Sequence, residues 1–178
     1  MVGRRFLALL SVVVEKSLLI LRHAKSDWAD SSLADHDRPL NDRGKRAAPR
    51  MGRWLVERQL VPDHIVASTA VRAQSTAFAV MEATGYEGAL VSTRRLYLAE
   101  PSAIIAVVQE IDDRVARALV VGHNPGLETL VSHLAGKPTA LPTAALAAFV
   151  LPVDRWSAFD LGTSARKLGV WRPKHLPD

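Results

Sequence analysis

Short hydrophobic runs alternate with longer segments of helical composition along most of the chain. Five runs have the length and apolar content of buried strands: Ser17–Leu21, His64–Ala67, Leu90–Ser92, Ala118–Val121 and Ala145–Leu151. Four intervening segments favour helices: Arg43–Gln59, Ala73–Ala83, Pro101–Ile111 and Gly126–Ala135. Such a βαβ series predicts an α/β fold, a three-layer sandwich with helices on both faces of a mostly parallel central sheet.

The two ends of the chain depart from this series. Residues 1–16 are interpreted as an N-terminal extension whose role stays open, and residues 17–178 as a single domain. The apolar run Phe6–Val14 follows a basic start, as in a secretion signal, but it is too short to cross a bilayer and no A-x-A cleavage site follows. An extra buried strand or a disordered extension are the alternatives. The tail after Gly162 is basic and contains prolines, and we expect it to wrap the surface.

Composition narrows the possible chemistry. The chain contains no cysteine, which excludes disulfides, thiolate metal sites and cysteine nucleophiles and fits a reducing compartment. The net charge is +5, yet the basic residues are scattered and the aromatic residues are sparse, so we expect no nucleic-acid partner. A basic excess also suits a small anionic substrate. We expect a cytoplasmic protein without a membrane partner, and the sequence leaves its oligomeric state open.

Unusual polar residues follow three of the predicted strands directly. These three loops are Arg22–Ser26, Ser68–Ala73 and Gly122–Gly126. Ligands of parallel sheets collect at the carboxyl ends of the strands, so the loops are expected to meet there. Two arginines and two histidines at one sheet edge predict an oxyanion pocket, because guanidinium groups match phosphate geometry and helix N-termini add positive charge.

A histidine in such a pocket can act as a nucleophile. A neutral imidazole nitrogen can attack phosphorus, while the surrounding cations stabilise the charge on the phosphoryl oxygens. A metal role is disfavoured because His23 and His123 are one hundred residues apart, with none of the usual ligand spacings, and because adjacent arginines would repel a divalent cation. The sequence also lacks GxGxxG, Walker and GxSxG motifs, so we expect neither a metal nor a cofactor.

Four ordered segments carry a resemblance to a known family: LRHAKSDW at 21–28, RPLNDRG at 38–44, STAVRAQST at 68–76 and VGHNPGLE at 121–128. Together they resemble the histidine phosphatase superfamily, which is phosphoglycerate mutase-like, and in particular its small SixA-type phosphohistidine phosphatase branch. The similarity covers about residues 17–151. The short connections leave no room for the lid subdomain that members with large substrates often insert.

The resemblance implies a role for each matching residue. His23 matches the nucleophile that becomes phosphorylated, and Arg22, Arg72 and His123 match the other members of the phosphate pocket. Arg38 matches an additional arginine that the SixA branch places near the pocket. An ion pair with Asp35, Asp37 or Asp42 is the alternative explanation for Arg38.

The proton donor is where the match fails. Family members commonly carry a carboxylate in an L-x-E arrangement after the third strand, and Leu98 stands at that position here. Glu100, two residues further on, is a candidate acid, although it also suits the start of a helix. Asn124 either orients His123, contacts the phosphate or caps the following helix.

These residues predict a metal-independent phosphatase that hydrolyses phosphate monoesters or phosphoramidates through a phosphohistidine intermediate. By resemblance, the substrate is phosphohistidine on a partner protein. A small phosphate ester is the alternative substrate. A module that binds phosphorylated ligands without turnover is the alternative from outside the enzyme class.

Overall fold

The computed structural model describes residues 15–177, which form a central sheet flanked by helices on both faces. Its strands are β1 (Lys16–Arg22), β2 (His64–Ser68), β3 (Leu90–Thr93), β4 (Arg117–Gly122), β5 (Leu146–Leu151) and β6 (Arg166–Trp171). Its helices are α1 (Asp42–Glu57), α2 (Val71–Thr84), α3 (Pro101–Gln109) and α4 (Gly126–Leu134). The predicted α/β sandwich is confirmed. Of the predicted N-terminal extension, all but residues 15 and 16 lies outside the described residues.

The strands are arranged in the order β3-β2-β4-β1-β5-β6. The first four are parallel to one another, whereas β5 is antiparallel to β1 and β6 is antiparallel to β5. The carboxyl ends of β1, β2 and β4 therefore meet at one edge of the sheet. Because β5 and β6 alternate in direction, the start of β5 and the end of β6 reach the same edge.

The central strand β1 supplies both hydrophobic cores. Leu18 and Ile20 face α3 and α4 on one side of the sheet, while Leu19 and Leu21 face α1 and α2 on the other. All four side chains are fully buried. Successive residues of a strand point to opposite faces, so a strand covered on both faces reads as a continuous apolar run.

Helix α1 begins at a side-chain cap and packs closely on the loop after β1. The Asn41 Oδ1 atom accepts a hydrogen bond from the Gly44 backbone at 3.0 Å, which satisfies one of the free N–H groups of the first turn. A Cβ at Gly44 would overlap the carbonyl oxygen of Lys25. Glycine at this position lets the helix approach the loop that carries His23.

The chain after Gly162 departs from the expectation that it only wraps the surface. Residues Arg166–Trp171 add the edge strand β6 to the sheet, with a register irregularity opposite Ala148 and Phe149. The strand is exposed over its first half and half-buried over its second. The prediction was wrong because an edge strand with one open side lacks the continuous apolar run that marks a buried strand.

No helix within residues 15–177 combines the length and the apolar character that a membrane span requires.

Replacing Gly44 with alanine should destabilise the fold. The added methyl group overlaps the Lys25 carbonyl, and overpacking of this kind costs about 1–3 kcal/mol. Urea denaturation followed by circular dichroism measures the loss. Arg53→Ala, at an exposed position of the same helix, is the control and should stay within about 0.5 kcal/mol of wild type. A Gly44→Ala protein as stable as wild type would contradict the close packing of α1 on this loop.

Candidate active site

The structure brings together the polar residues that follow β1, β2 and β4. His23 follows β1 and His123 follows β4, and their ring centroids lie 4.9 Å apart. The backbone N–H of His23 donates to the carbonyl of Gly122 at 3.0 Å, which extends the strand pairing into the site. Arg72, on the first turn of α2, lies between the two rings.

The imidazole of His23 is held with one nitrogen available. Its Nδ1 lies 2.7 Å from the carbonyl oxygen of Ala24, so Nδ1 carries the proton and donates it. The Nε2 atom therefore keeps its lone pair, and Arg72 Nε lies 3.4 Å from it. Burial lowers the pKa of His23 to about 4, with Arg72 and Arg22 acting in the same direction and the bond to Ala24 opposing them. The ring is neutral at physiological pH.

His123 is fixed in the complementary tautomer. Its Nδ1 accepts a hydrogen bond from Arg72 Nη2 at 3.3 Å, so the proton resides on Nε2, which donates to Ser68 Oγ at 2.8 Å. Burial is the main cause that lowers the pKa of His123 to about 3, and the neighbouring His23 adds to it. Both rings are thus neutral, and each is oriented by a hydrogen bond from its protonated nitrogen.

Arg72 lies at the centre of the hydrogen-bond network of the site. Its guanidinium contacts both histidines and donates to the backbone carbonyl and the carboxylate of Asp35, the latter at 2.8 Å. The Arg72 side chain is 5% exposed and that of Asp35 is 45% exposed, so the ion pair closes the solvent side of the guanidinium. A buried guanidinium without a counter-charge would be costly, and Asp35 reduces that cost.

Two further arginines bring hydrogen-bond donors that have no partner within residues 15–177. Arg22 donates from Nη1 to the Leu141 carbonyl at 3.0 Å, while its buried Nε has no partner in this part of the chain. The buried Nε and Nη1 atoms of Arg38 likewise have none. The Arg38 guanidinium stacks on Trp28, 3.7 Å from the ring centroid, and forms no ion pair within residues 15–177. The direct ion pairs of the predicted alternative, with Asp35, Asp37 or Asp42, are thus not formed within the described residues, although the charge of Arg38 contributes to the lowered pKa of Asp35.

Asn124 links two loops instead of capping α4. Its Nδ2 atom donates to Glu128 Oε2 and to the Leu141 carbonyl, both at 3.0 Å. Pro125, without a side-chain cap bond, precedes the first residue of α4. The capping alternative is therefore wrong because the side chain is turned toward the loop before β5. Its buried Oδ1 atom has no partner among the described residues, so a substrate contact of Asn124 stays a prediction.

The structure does not join Glu100 to the histidines. Glu100 is exposed and immediately precedes α3, and its side chain forms no hydrogen bond or ion pair within residues 15–177. Leu98, at the position where the family commonly has its acid, is 52% exposed and has a backbone φ of 50°. A role for Glu100 as an acid stays a prediction.

Sequence reasoning missed two residues of the site. Tyr97 donates from its hydroxyl to Asp35 Oδ2 at 2.7 Å, and its ring packs edge-on against His123 at 5.3 Å. This bond, with those from Arg72, lowers the pKa of Asp35, so that carboxylate stays ionised. His36 packs against Tyr97 and hydrogen-bonds Thr69. The one feature of the sequence that indicated Tyr97 as a site residue was its position next to Leu98.

Groups of three or more histidine and carboxylate residues with the geometry of a metal site are absent from the described residues. The arrangement instead provides a neutral nucleophilic nitrogen among fixed cations, which is suited to transfer of a phosphoryl group.

Comparisons with known proteins agree with this geometry. The model of the histidine phosphatase superfamily (branch 1) matches residues 18–96. A protein of Mycobacterium tuberculosis is 40% identical over 115 residues, which cover 65% of this chain and 70% of that protein. The chain belongs to the histidine phosphatase superfamily. A protein of Mycobacterium leprae is 34% identical over 155 residues, covering 79% of this chain and 92% of the relative.

The similarity to solved structures identifies the branch of the superfamily. The structure of a protein assigned as the phosphohistidine phosphatase SixA of Agrobacterium tumefaciens superposes with a TM-score of 0.76 at 26% identity. The match covers 89% of this chain and 98% of that one. Within the superfamily the chain is SixA-like, and it is a phosphatase enzyme. The predicted family and enzyme class are confirmed.

Both histidines should remain neutral at pH 5. Their pKa values of about 4 and about 3 lie below the roughly 6.5 of a solvated histidine. NMR of the imidazole carbons, with a blocked histidine as the control, measures this. Since the unfolded chain binds these protons at higher pH, folding stability should fall as the pH decreases from about 6.5 toward 4. Protonation of either ring near pH 6.5 would contradict the buried, neutral pair.

Arg72→Lys should reduce kcat/KM for p-nitrophenyl phosphate by about tenfold or more, on the order of 1.4 kcal/mol. Lysine keeps the charge but cannot contact His23, His123 and Asp35 together. Arg94→Lys is the matched control, because that exposed guanidinium lies 5.8 Å from the Tyr97 ring. We expect the control within twofold of wild type. An equal effect of the two substitutions would place Arg72 outside the reacting geometry.

Proposed function

We propose that this phosphatase removes the phosphoryl group from phosphohistidine on partner proteins, by way of a phosphorylated His23. The observation that carries the proposal is the state of the His23 ring. Its Nδ1 proton is held by the Ala24 carbonyl and its pKa is lowered to about 4, so Nε2 offers a lone pair at neutral pH. A nitrogen held in this way, beside the Arg72 guanidinium, is suited to in-line attack on phosphorus.

In the first step, the Nε2 lone pair forms a bond to phosphorus. The bond from phosphorus to the leaving nitrogen breaks, its electron pair stays on that nitrogen, and a proton from solvent neutralises it. The phosphoryl oxygens take hydrogen bonds from the unpartnered N–H groups of Arg22 and Arg38 and from Arg72. Charge on these oxygens is stabilised by donors that are already in place, which is the main source of electrostatic catalysis.

In the second step, a water oxygen forms a bond to phosphorus and the P–N bond to His23 breaks. The electron pair returns to Nε2, the proton of the water passes to solvent, and orthophosphate leaves. His123 and Arg72 keep their places through both steps, because each is tied to the protein as well as to the reacting centre. The ring of His23 is regenerated in its original tautomer.

The absence of a carboxylate at Leu98 supports phosphohistidine over an ordinary ester. An alkoxide leaving group is strongly basic and needs an acid in the transition state, whereas the imidazole nitrogen of phosphohistidine leaves with less help. Leu98 provides no proton, and the Glu100 side chain lies exposed without a contact to the histidines. Asp35 is bound by Arg72 and Tyr97, which lower its pKa, so it is a poor donor.

The intermediate is tested by trapping. A wild-type reaction quenched on the time scale of one turnover should carry acid-labile, alkali-stable phosphate on His23. His23→Ala should show neither trapped phosphate nor turnover, since the Nε2 atom that we propose as the nucleophile is removed. His133→Ala, at an exposed position near the end of α4, should behave as wild type. Phosphate trapped on another residue, or a fully active His23→Ala protein, would refute the mechanism.

The substrate is tested by specificity constants. Phosphohistidine peptides, phosphoserine peptides and sugar phosphates are compared in the presence of EDTA, with p-nitrophenyl phosphate as the reference. We expect phosphohistidine peptides to give the highest kcat/KM among the physiological classes. A preference for sugar phosphates would favour the small-ester alternative. Binding of phosphohistidine peptides without turnover would identify a binding module.

A further inference from the structure

A cavity of about 400 Å³ opens beside the catalytic loop and is lined by basic residues. It is built from the start of α1, the loop before β5 and the segment that follows β6. Its cationic lining residues are Lys25, Arg43, Arg46, Arg50, Arg172 and Lys174, and no carboxylate of residues 15–177 lines it. The volume is within the range of ligand-binding cavities.

The cavity is continuous with the catalytic loop. Lys25 is two residues after His23, so their Cα atoms are at most about 7 Å apart. The Lys25 carbonyl accepts a hydrogen bond from the Asn41 backbone at 3.0 Å, which joins the loop to the start of α1. On the other side, the backbone N–H of Ala144, next to Thr143 of the cavity wall, contacts the carbonyls of both Arg22 and His23 at 3.1 Å.

Several of these cations have no internal counter-charge. Lys25, Arg43, Arg46 and Lys174 are exposed and form no ion pair within residues 15–177. Arg172 donates to the Ala140 carbonyl, and Arg50 to those of Leu176 and Pro177, so these two are held in position by backbone oxygens. On α1, Arg46 lies three residues after Arg43 and four residues before Arg50. Like charges at these spacings repel one another, and an anion bound from outside would reduce that repulsion.

The length of the basic surface indicates the size of the ligand. Arg43, Arg46 and Arg50 lie along one side of α1 and span seven residues, or about 10 Å. With the step from His23 to Lys25, the surface extends well beyond the reach of one small phosphorylated molecule. It matches about four to six residues of an extended peptide, at roughly 3.3 Å per residue. Among the described residues, the lining offers no phenylalanine, tyrosine or tryptophan for bases to stack on, which disfavours a nucleic acid.

We propose that this cavity binds acidic side chains of the partner protein that lie a few residues from its phosphorylated histidine. The proposal rests on the proposed function and adds to it a preference for phosphohistidine in an acidic sequence context. The phosphoryl group enters the histidine site, and the aspartate or glutamate residues that flank it contact Lys25 and the arginines of α1. Because the cations are exposed, the attraction should weaken with increasing salt.

The test compares two phosphohistidine peptides that differ only in having Asp and Glu, or Asn and Gln, at the positions three to six residues from the phosphohistidine. The full-length double variant Arg43→Gln/Arg46→Gln should lose about threefold to tenfold in kcat/KM on the acidic peptide and nothing on the neutral one. The control is Lys45→Gln/Arg53→Gln, on the same helix but outside the cavity. p-Nitrophenyl phosphate should be turned over equally by all three proteins.

Other outcomes of this test overturn the proposal. Equal loss on both peptides, or no loss on either, shows that the cavity does not recognise acidic residues. A loss confined to a small bisphosphorylated ester would instead make the cavity a subsite for a second phosphate of a small substrate.

A binding measurement separates this proposal from the proposed function. If neither phosphohistidine peptide is hydrolysed while p-nitrophenyl phosphate is, the proposed function fails, and the cavity is tested without catalysis. Fluorescence anisotropy then measures binding of a labelled, unphosphorylated acidic peptide. Weaker binding by Arg43→Gln/Arg46→Gln than by wild type and the control variant supports docking of an acidic segment. Equal binding by all three proteins overturns it.

Discussion

Strand β1 lies at the centre of the sheet, hydrogen-bonded to β4 on one side and to β5 on the other, with its four leucine and isoleucine side chains fully buried. The positions of the two histidines and of the start of α2 depend on this strand. Its pairing with β4 places His23 beside His123, and the pairing of β4 with β2 places Ser68 and the start of α2 next to them. A slip of one residue would exchange the two faces of β1 and turn the apolar side chains out of both cores.

The electrostatics of the site follow from its burial. Guanidinium groups surround two buried imidazoles, and burial with these charges lowers the pKa of each ring so that both are neutral at physiological pH. Arg72 tolerates its position because Asp35 supplies a negative charge on the solvent side. The hydrogen bond from Tyr97, with this ion pair, lowers the pKa of Asp35, which makes its carboxyl group a poor proton donor. Burial therefore explains both why Arg72 needs a counter-charge and why the two imidazoles are neutral.

Most of the fold was predictable because its buried elements are continuous in sequence. The runs around β1, β2 and β4 are apolar on both faces, and Pro101 marks the first turn of α3. Strand β6 was not predictable, since half of it is exposed and its hydrogen bonds run to a single neighbour.

The residues of the site likewise fall into those that could be predicted from the sequence and those that could not. Sequence pattern and resemblance located four residues because they lie at the ends of regular elements: Arg22 ends β1, His23 and His123 directly follow β1 and β4, and Arg72 lies in the first turn of α2. Asp35 and Tyr97 lie on short turns, and their contacts with Arg72 join positions 37 and 25 residues away in the chain. The local sequence pattern around Asp35 and Tyr97 does not indicate these long-range contacts. The turn of Asn124 toward the Leu141 carbonyl was likewise decided by tertiary packing rather than by the helix-entry sequence.

The shared hydrogen bond of Ala144 has a consequence for how substrate preference can change. Its N–H donates to the carbonyls of Arg22 and His23, so the backbone that carries His23 is anchored to the inner strands of the sheet. Asp35, Arg38 and Tyr97, by contrast, belong to surface segments outside the sheet. Substitutions in these surface segments can thus change the surroundings of Arg72 while the backbone of His23 keeps its place in the sheet.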